Sequence, residues 1–168
     1  WSQVQRGHIS TELASGRLDL AIDVADLRGR DMESVELLAT PYACVMAPDH
    51  PMAGRALEME DFVALRHVVV SSRREGRSYV EEIARAAGHR ITPVMRLPHH
   101  MPALEIVRQT HLVATVPLPL AKSSGLAVAP LPSAFPHLGS VLYWRRENAE
   151  DPALAWLRDL VQQMAKST

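Results

Sequence analysis

Two hydrophobic periods alternate along this chain. Short apolar runs predict strands at Leu18–Ile22, Val35–Ala39, Tyr42–Ala47, His67–Ser71, Thr92–Leu97, Leu112–Val116, Leu126–Leu131 and Ser140–Trp144. Several are solid rather than alternating, such as Val68-Val69-Val70. A strand needs that pattern when helices cover both faces of its sheet. Helical segments fall between them. Residues 8–14 end at Gly16, and 58–65 form a short amphipathic stretch. Residues 78–87 open on Ser78 with Glu81 three later, a capping box, and close at Gly88. Residues 102–109 begin at Pro102, which suits the first helical position, and 117–123 are short and proline-rich. Asp151 caps the last helix and Pro152 starts it. Ala153, Trp156, Leu157, Leu160, Val161 and Met164 recur at helical spacing, which predicts one buried face. Strand-helix alternation predicts an α/β fold with mostly parallel strands. Ligands of such sheets bind beyond the carboxyl ends of strands, near helix N-termini.

Composition narrows the function. The chain has 168 residues, 47% of them hydrophobic, enough for one large or two small domains with real cores. A net charge of -1 carries no electrostatic footprint for nucleic acid. The single cysteine, Cys44, excludes a disulfide framework and a Cys-based zinc site, and it fits a reducing cytoplasmic setting. No apolar run approaches the ~20 residues that span a bilayer, so no membrane partner is expected. The opening Trp1-Ser-Gln-Val-Gln-Arg6 lacks the apolar core of a signal peptide. It reads like the middle of a strand, and upstream sequence is expected.

Catalytic chemistry finds little support. Cys44 sits mid-strand, where a thiol is usually a small buried hydrophobe. Nucleophile-elbow, P-loop and dinucleotide motifs are absent from the sequence. Glu58, Glu60 and Asp61 cluster where carboxylates favour a helix start. The eight histidines show no metal-ligand spacing, and neighbours His99 and His100, read as extended, point apart. No catalytic residue, metal or cofactor is therefore expected. A ligand pocket remains. Ser71, Ser72 and Arg73 follow a strand and lead through Gly76 into the capped helix, an anion-binding layout. His99-His100-Met101 and Val116-Pro117 repeat that strand-to-helix turn. The plain alternative is that the serines cap backbone groups and the arginines are solvated. Three such turns at one sheet edge would share a site. There His100 is expected to face inward, with Met101 as an adaptable wall.

An ordered series of segments supports a family resemblance: A-S-G-R-L-D-L-A-I (14–22), L-L-A-T-P-Y-A-C-V-M-A-P-D-H-P-M-A (37–53), L-E-M-E-D-F-V-A-L (57–65), H-L-V-A-T-V-P (111–117) and D-P-A-L-A-W-L-R-D-L-V (151–161). Together they resemble the effector-binding domain of LysR-type transcriptional regulators. L-P-H-H-M-P-A-L-E-I-V and V-L-Y-W-R-R look most like the branch responding to aromatic acids. The resemblance implies a type 2 periplasmic-binding-protein-like fold, two α/β subdomains of mostly parallel sheets joined by two crossing strands. The subdomains would be residues 1–46 with 141–168, and 47–140. A small, anionic or aromatic inducer would bind in the cleft between them. The matching positions are Asp23, Ser71 with Ser72 and Arg73, His99, His100, Met101, Val116 and Pro117. Implied partners are further copies of the chain, as dimer or tetramer, and RNA polymerase. DNA would be bound through an N-terminal domain. That winged helix-turn-helix, its linker helix and the family's first effector-domain strand and helix have no counterpart in this chain. The expected function is inducer sensing in the cytoplasm, without chemistry. The alternatives are a solute-binding protein of a transport system, or an enzyme on the same fold, for which no catalytic group stands out.

Overall fold

The computed structural model describes residues 4, 6–24, 31–71, 77–136 and 138–166. The chain divides into two units, Trp1–Thr40 with Leu138–Thr168, and Pro41–His137. The divisions expected from the sequence, at 46/47 and 140/141, fall a few residues further along the chain. The strand over 42–46 pairs within the second unit's sheet.

In the first unit, helix α1 (Arg6–Ala14) precedes strands β1 (Leu20–Val24) and β2 (Met32–Thr40). Strand β8 (Leu138–Arg145) returns between them, giving the order β1-β8-β2 with antiparallel pairing throughout. Helix α1 ends as its glycine predicts. Gly16 adopts φ 70° and donates to the Leu13 carbonyl, and Arg17 donates to Glu12. Ile9 and Leu13 of α1 bury against Val141 and Tyr143 of β8.

Helix α6 (Pro152–Lys166) departs from expectation. Asp151 caps it as predicted, its Oδ1 accepting from the Ala153 and Leu154 amides at 2.9 and 3.0 Å. Of the stripe expected to be buried, only Leu160 and Val161 are half-buried, and Ala153, Trp156, Leu157 and Met164 are exposed. Trp156 is 65% and Met164 64% exposed, and no residue of the helix is fully buried. The half-buried residues are Leu154, Ala155, Arg158, Leu160, Val161, Gln162 and Ala165. Arg158 sets this orientation. Its guanidinium donates to the Asn148 and Ala149 carbonyls at 3.2 and 2.5 Å and lies over the Trp144 ring at 4.8 Å. Periodicity located the amphipathic helix. With the arginine anchor, the side turned towards the protein overlaps the predicted stripe only at Leu160 and Val161.

The second unit is a five-stranded sheet between helices. In chain order it contains β3 (Tyr42–Met46), α2 (Met59–Ala64), β4 (His67–Val70), α3 (Tyr79–Ala86), β5 (Met95–Leu97), α4 (His100–Arg108), β6 (Val113–Pro117), α5 (Leu118–Ser123) and β7 (Ala127–Pro130). The strand order is β5-β4-β6-β3-β7. β5, β4 and β6 are parallel, whereas β3 runs antiparallel to both β6 and β7. The mostly parallel pairing expected from strand-helix alternation is thus corrected: the first unit's sheet is antiparallel and the second unit's is mixed. Solid runs report burial on two faces, not strand direction.

That two-sided burial is visible residue by residue. Val45, Val68, Ala114 and Val116 pack on one face with Ala103, Leu104 and Val107 of α4. Cys44, Met46, Val69 and Val113 pack on the other with Phe62, Val80, Ala84 and Ile91. Phe62 meets His67 edge-on at 4.7 Å and Phe135 at 5.1 Å. The His67 Nε2 also lies 2.7 Å from the Phe62 carbonyl, and burial holds this imidazole below its ordinary pKa. His67 is a satisfied core residue.

Candidate functional site

Because β5, β4 and β6 are adjacent and parallel, their carboxyl ends lie at one edge of the sheet. Three strand-to-helix turns leave that edge: β4 to α3, β5 to α4, and β6 to α5. Ser71 extends the ladder one residue past β4, donating its amide to Leu97 at 2.8 Å, and is half-buried. Ser72 and Arg73 lie outside the described residues. At the far end of that turn the capping box has formed. Ser78 Oγ accepts from the Glu81 amide, and Glu81 Oε2 accepts from the Ser78 amide at 2.7 Å and the Ser78 hydroxyl at 2.6 Å.

The histidine pair is arranged by a helix start, not by a strand. His99 is the N-cap residue of α4, extended and exposed, and its side chain makes no capping bond. His100 is already the first helical residue, so Pro102 is the third rather than the first. A proline is tolerated there because first-turn amides have no partner within the helix. His100 is half-buried. Burial lowers its pKa, and the neighbouring His99 adds to the shift. Met101 is 68% exposed. Val116 is fully buried in the α4-side core, so its side chain packs and does not line the edge. Pro117 is half-buried opposite Tyr42 of β3. Asp23 belongs to β1 of the first unit, half-buried opposite Val141, and is taken by itself.

Sequence reading passed over Arg96. On β5, it donates from Nη2 to Glu81 Oε2 at 2.7 Å and so ties β5 to the start of α3. Glu81 thus collects three donors on one oxygen. Burial alone would raise its pKa, but the Ser78 hydroxyl and amide and the Arg96 guanidinium outweigh it and leave the carboxyl below its ordinary value. Tyr42 and Tyr79 meet beside this cluster with ring centroids 5.8 Å apart, and the Tyr79 hydroxyl donates to the Pro136 carbonyl at 2.6 Å. Cross-strand register brings these residues together, and no short motif announces it.

Other titratable groups serve structure. Cys44 is fully buried, and burial pushes its thiol up to about 12, far from a nucleophile's range. His50 is buried and accepts the Met52 amide at Nδ1, 3.1 Å away. Among the described residues no three His, Cys, Asp or Glu side chains converge as a metal site, and no helix is long and apolar enough to cross a membrane.

Comparison with known proteins gives the family. The LysR substrate binding domain matches residues 2–166. The transcriptional activator NagR of a Ralstonia species is 28% identical over 158 residues, covering 92% of this chain and 52% of that protein. NahR of Pseudomonas putida, also a transcriptional activator, is 29% identical over 153 residues, covering 89% and 51%. The chain therefore spans about half the length of these curated relatives. A probable transcriptional regulator from Pseudomonas aeruginosa superposes with a TM-score of 0.79 at 28% identity, covering 90% of this chain and 51% of that one. The BenM effector-binding domain, solved with its effector benzoate, superposes at 0.76 with 17% identity, covering 98% and 77%, a likeness of fold alone. These matches are to transcription regulators rather than enzymes, and the chain belongs to the LysR family as its substrate-binding, or effector-binding, domain.

Proposed function

We propose that this domain senses a small acidic or aromatic effector bound at the β5-β4-β6 edge of the second unit. The carrying observation is the convergence of three strand-to-helix turns on one edge, with half-buried His100 at the first position of α4. Helix N-termini favour negative charge there. His100 supplies a flat face and a hydrogen bond. Its lowered pKa keeps the ring neutral near pH 7 until an anion arrives to favour its protonation. Ser71 at the end of β4 and Pro117 at the end of β6 belong to the same set, and Met101 adds a movable apolar group. Ser72 and Arg73, which follow β4 in sequence, exposed His99 and the backbone at Val116 complete the proposed set. The whole protein acts on DNA through an N-terminal domain and assembles as a homo-oligomer that engages RNA polymerase. The length of its relatives and their roles as transcriptional activators support this. Family membership sets the transport alternative aside.

The test is calorimetric titration of a panel of aromatic acids against the wild type, His99→Ala and His100→Ala. His100→Ala should weaken binding by about 1–3 kcal/mol and His99→Ala by little. Equal affinity in all three would refute the role of His100, and tight zinc binding lost in both variants would revive a metal reading.

A further inference from the structure

Two buried side-chain polar atoms among the described residues of the second unit have no hydrogen-bond partner: Arg96 Nη1 and Thr115 Oγ1. They are related by the sheet. Val69 of β4 is paired with Arg96 of β5, and Val68 with Ala114 of β6, so Arg96, Val69 and Thr115 form one cross-strand row. Cys44 of β3 continues the row. By strand alternation these side chains share the face covered by α3. Ser71, two residues beyond Val69, is on the same face one step nearer the carboxyl edge. Two unanswered groups in one row, beside the turns that build the proposed effector site, call for a common explanation.

We propose that Arg96 is the specificity determinant for an acidic effector, and that its unused Nη1 edge receives one carboxylate oxygen of the ligand. This rests on the reading of the β5-β4-β6 edge as the effector site. Glu81 makes the residue fit for the task. It takes Nη2 and leaves the guanidinium plane fixed, so a second carboxylate meets an oriented donor rather than a wandering side chain. Glu81 is itself held by Ser78 at the α3 N-terminus, so the clamp is attached to a helix instead of a loop. The Arg96 side chain is 29% exposed as a whole, whereas Nη1 is closed even to water, so a ligand oxygen reaches it only by displacing the groups that cover it. A carboxylate arriving there replaces no bound water on that N–H. A neutral amide of the same shape still offers Nη1 a carbonyl oxygen but brings no charge, so the site discriminates through the stronger, charge-assisted bond to the acid. Thr115, 7% exposed, adds a hydroxyl in the same row that can donate to a ligand oxygen.

The experiment compares acids with neutral isosteres: benzoate, phenylacetate and butyrate, each beside its amide, titrated calorimetrically into the whole chain. At least one acid should bind about ten- to hundredfold tighter than its amide. Arg96→Gln should reduce that ratio to about twofold or less, weakening the acid far more than its amide, and Arg96→Lys should fall between. His100→Ala should weaken acid and amide together. A ratio that survives Arg96→Gln while His100→Ala still weakens binding overturns the Arg96 assignment and leaves the edge reading standing. If no acid outbinds its amide in the wild type, the proposal fails, and if no compound binds at all, the edge reading fails with it for this ligand class. Should Arg96→Gln not fold, nitrogen-15 spectra of the wild-type arginine side chains decide. The Arg96 guanidinium signals should move with benzoate and not with benzamide, and signals that stay still overturn the proposal.

Discussion

Glu81→Gln tests the clamp without removing its bulk. Glu81 Oε2 accepts from the Ser78 amide at 2.7 Å, the Ser78 hydroxyl at 2.6 Å and Arg96 Nη2 at 2.7 Å. The glutamine carbonyl can keep the bond to the Ser78 amide but loses the charge that strengthens all three. Losing an N-cap interaction costs about 0.5–2 kcal/mol, and a hydrogen bond to a charged group contributes about 1.5–3. Arg96 is 29% exposed, so solvent screening trims the ion-pair part, and a net loss of about 1–2 kcal/mol near pH 7 is expected. The pH dependence is the sharper signature. Glu81 titrates below its ordinary 4.5 in the folded chain. A depressed carboxyl contributes stability that is fully present above its unfolded pKa and lost as pH falls through the lower folded value. Glutamine does not titrate. The stability gap between wild type and variant should therefore hold steady from neutral pH down to about 5, then close below about 4.5. Urea denaturation at a series of pH values measures it. A gap of the same size at acid and neutral pH would show that the charge on Glu81 contributes nothing and that the variant acts through packing alone.

Two further outcomes check other parts of the fold. Trp156→Ser on α6 should change stability by no more than about 0.5 kcal/mol in thermal or urea melts, since the ring is 65% exposed; a loss of about 3 kcal/mol or more would show the stripe to be buried in solution. The Cys44 thiol, pushed up to about 12 by complete burial, should resist a thiol-specific disulfide reagent in the folded chain at about pH 8 and react promptly in urea, and fast labelling without denaturant would contradict its place in β3.

Local physics explains what the sequence alone determined. Among the described residues, the eight strands and six α-helices lie close to where apolar periodicity puts them, because burial selects residues at a spacing that each element imposes on itself. The Ser78–Glu81 capping box and the Gly16 stop are legible for the same reason, since their hydrogen bonds close within a few residues. The family, too, is visible in segments whose order survives along the chain. Everything that depends on which strand lies beside which had to come from the tertiary structure. Apolar runs in β3 and β6 look alike whether they pair parallel or antiparallel, because either pairing buries both faces. The stripe on α6 is amphipathic in any context, and only Arg158, reaching Trp144 and the carbonyls at 148 and 149, decides which side of the helix turns inward. Arg96, Val69 and Thr115 lie far apart in sequence and carry no spacing that connects them. Register across three strands places them in one row, and that row, rather than any motif, sets a buried guanidinium edge and a threonine hydroxyl on the same face of the sheet.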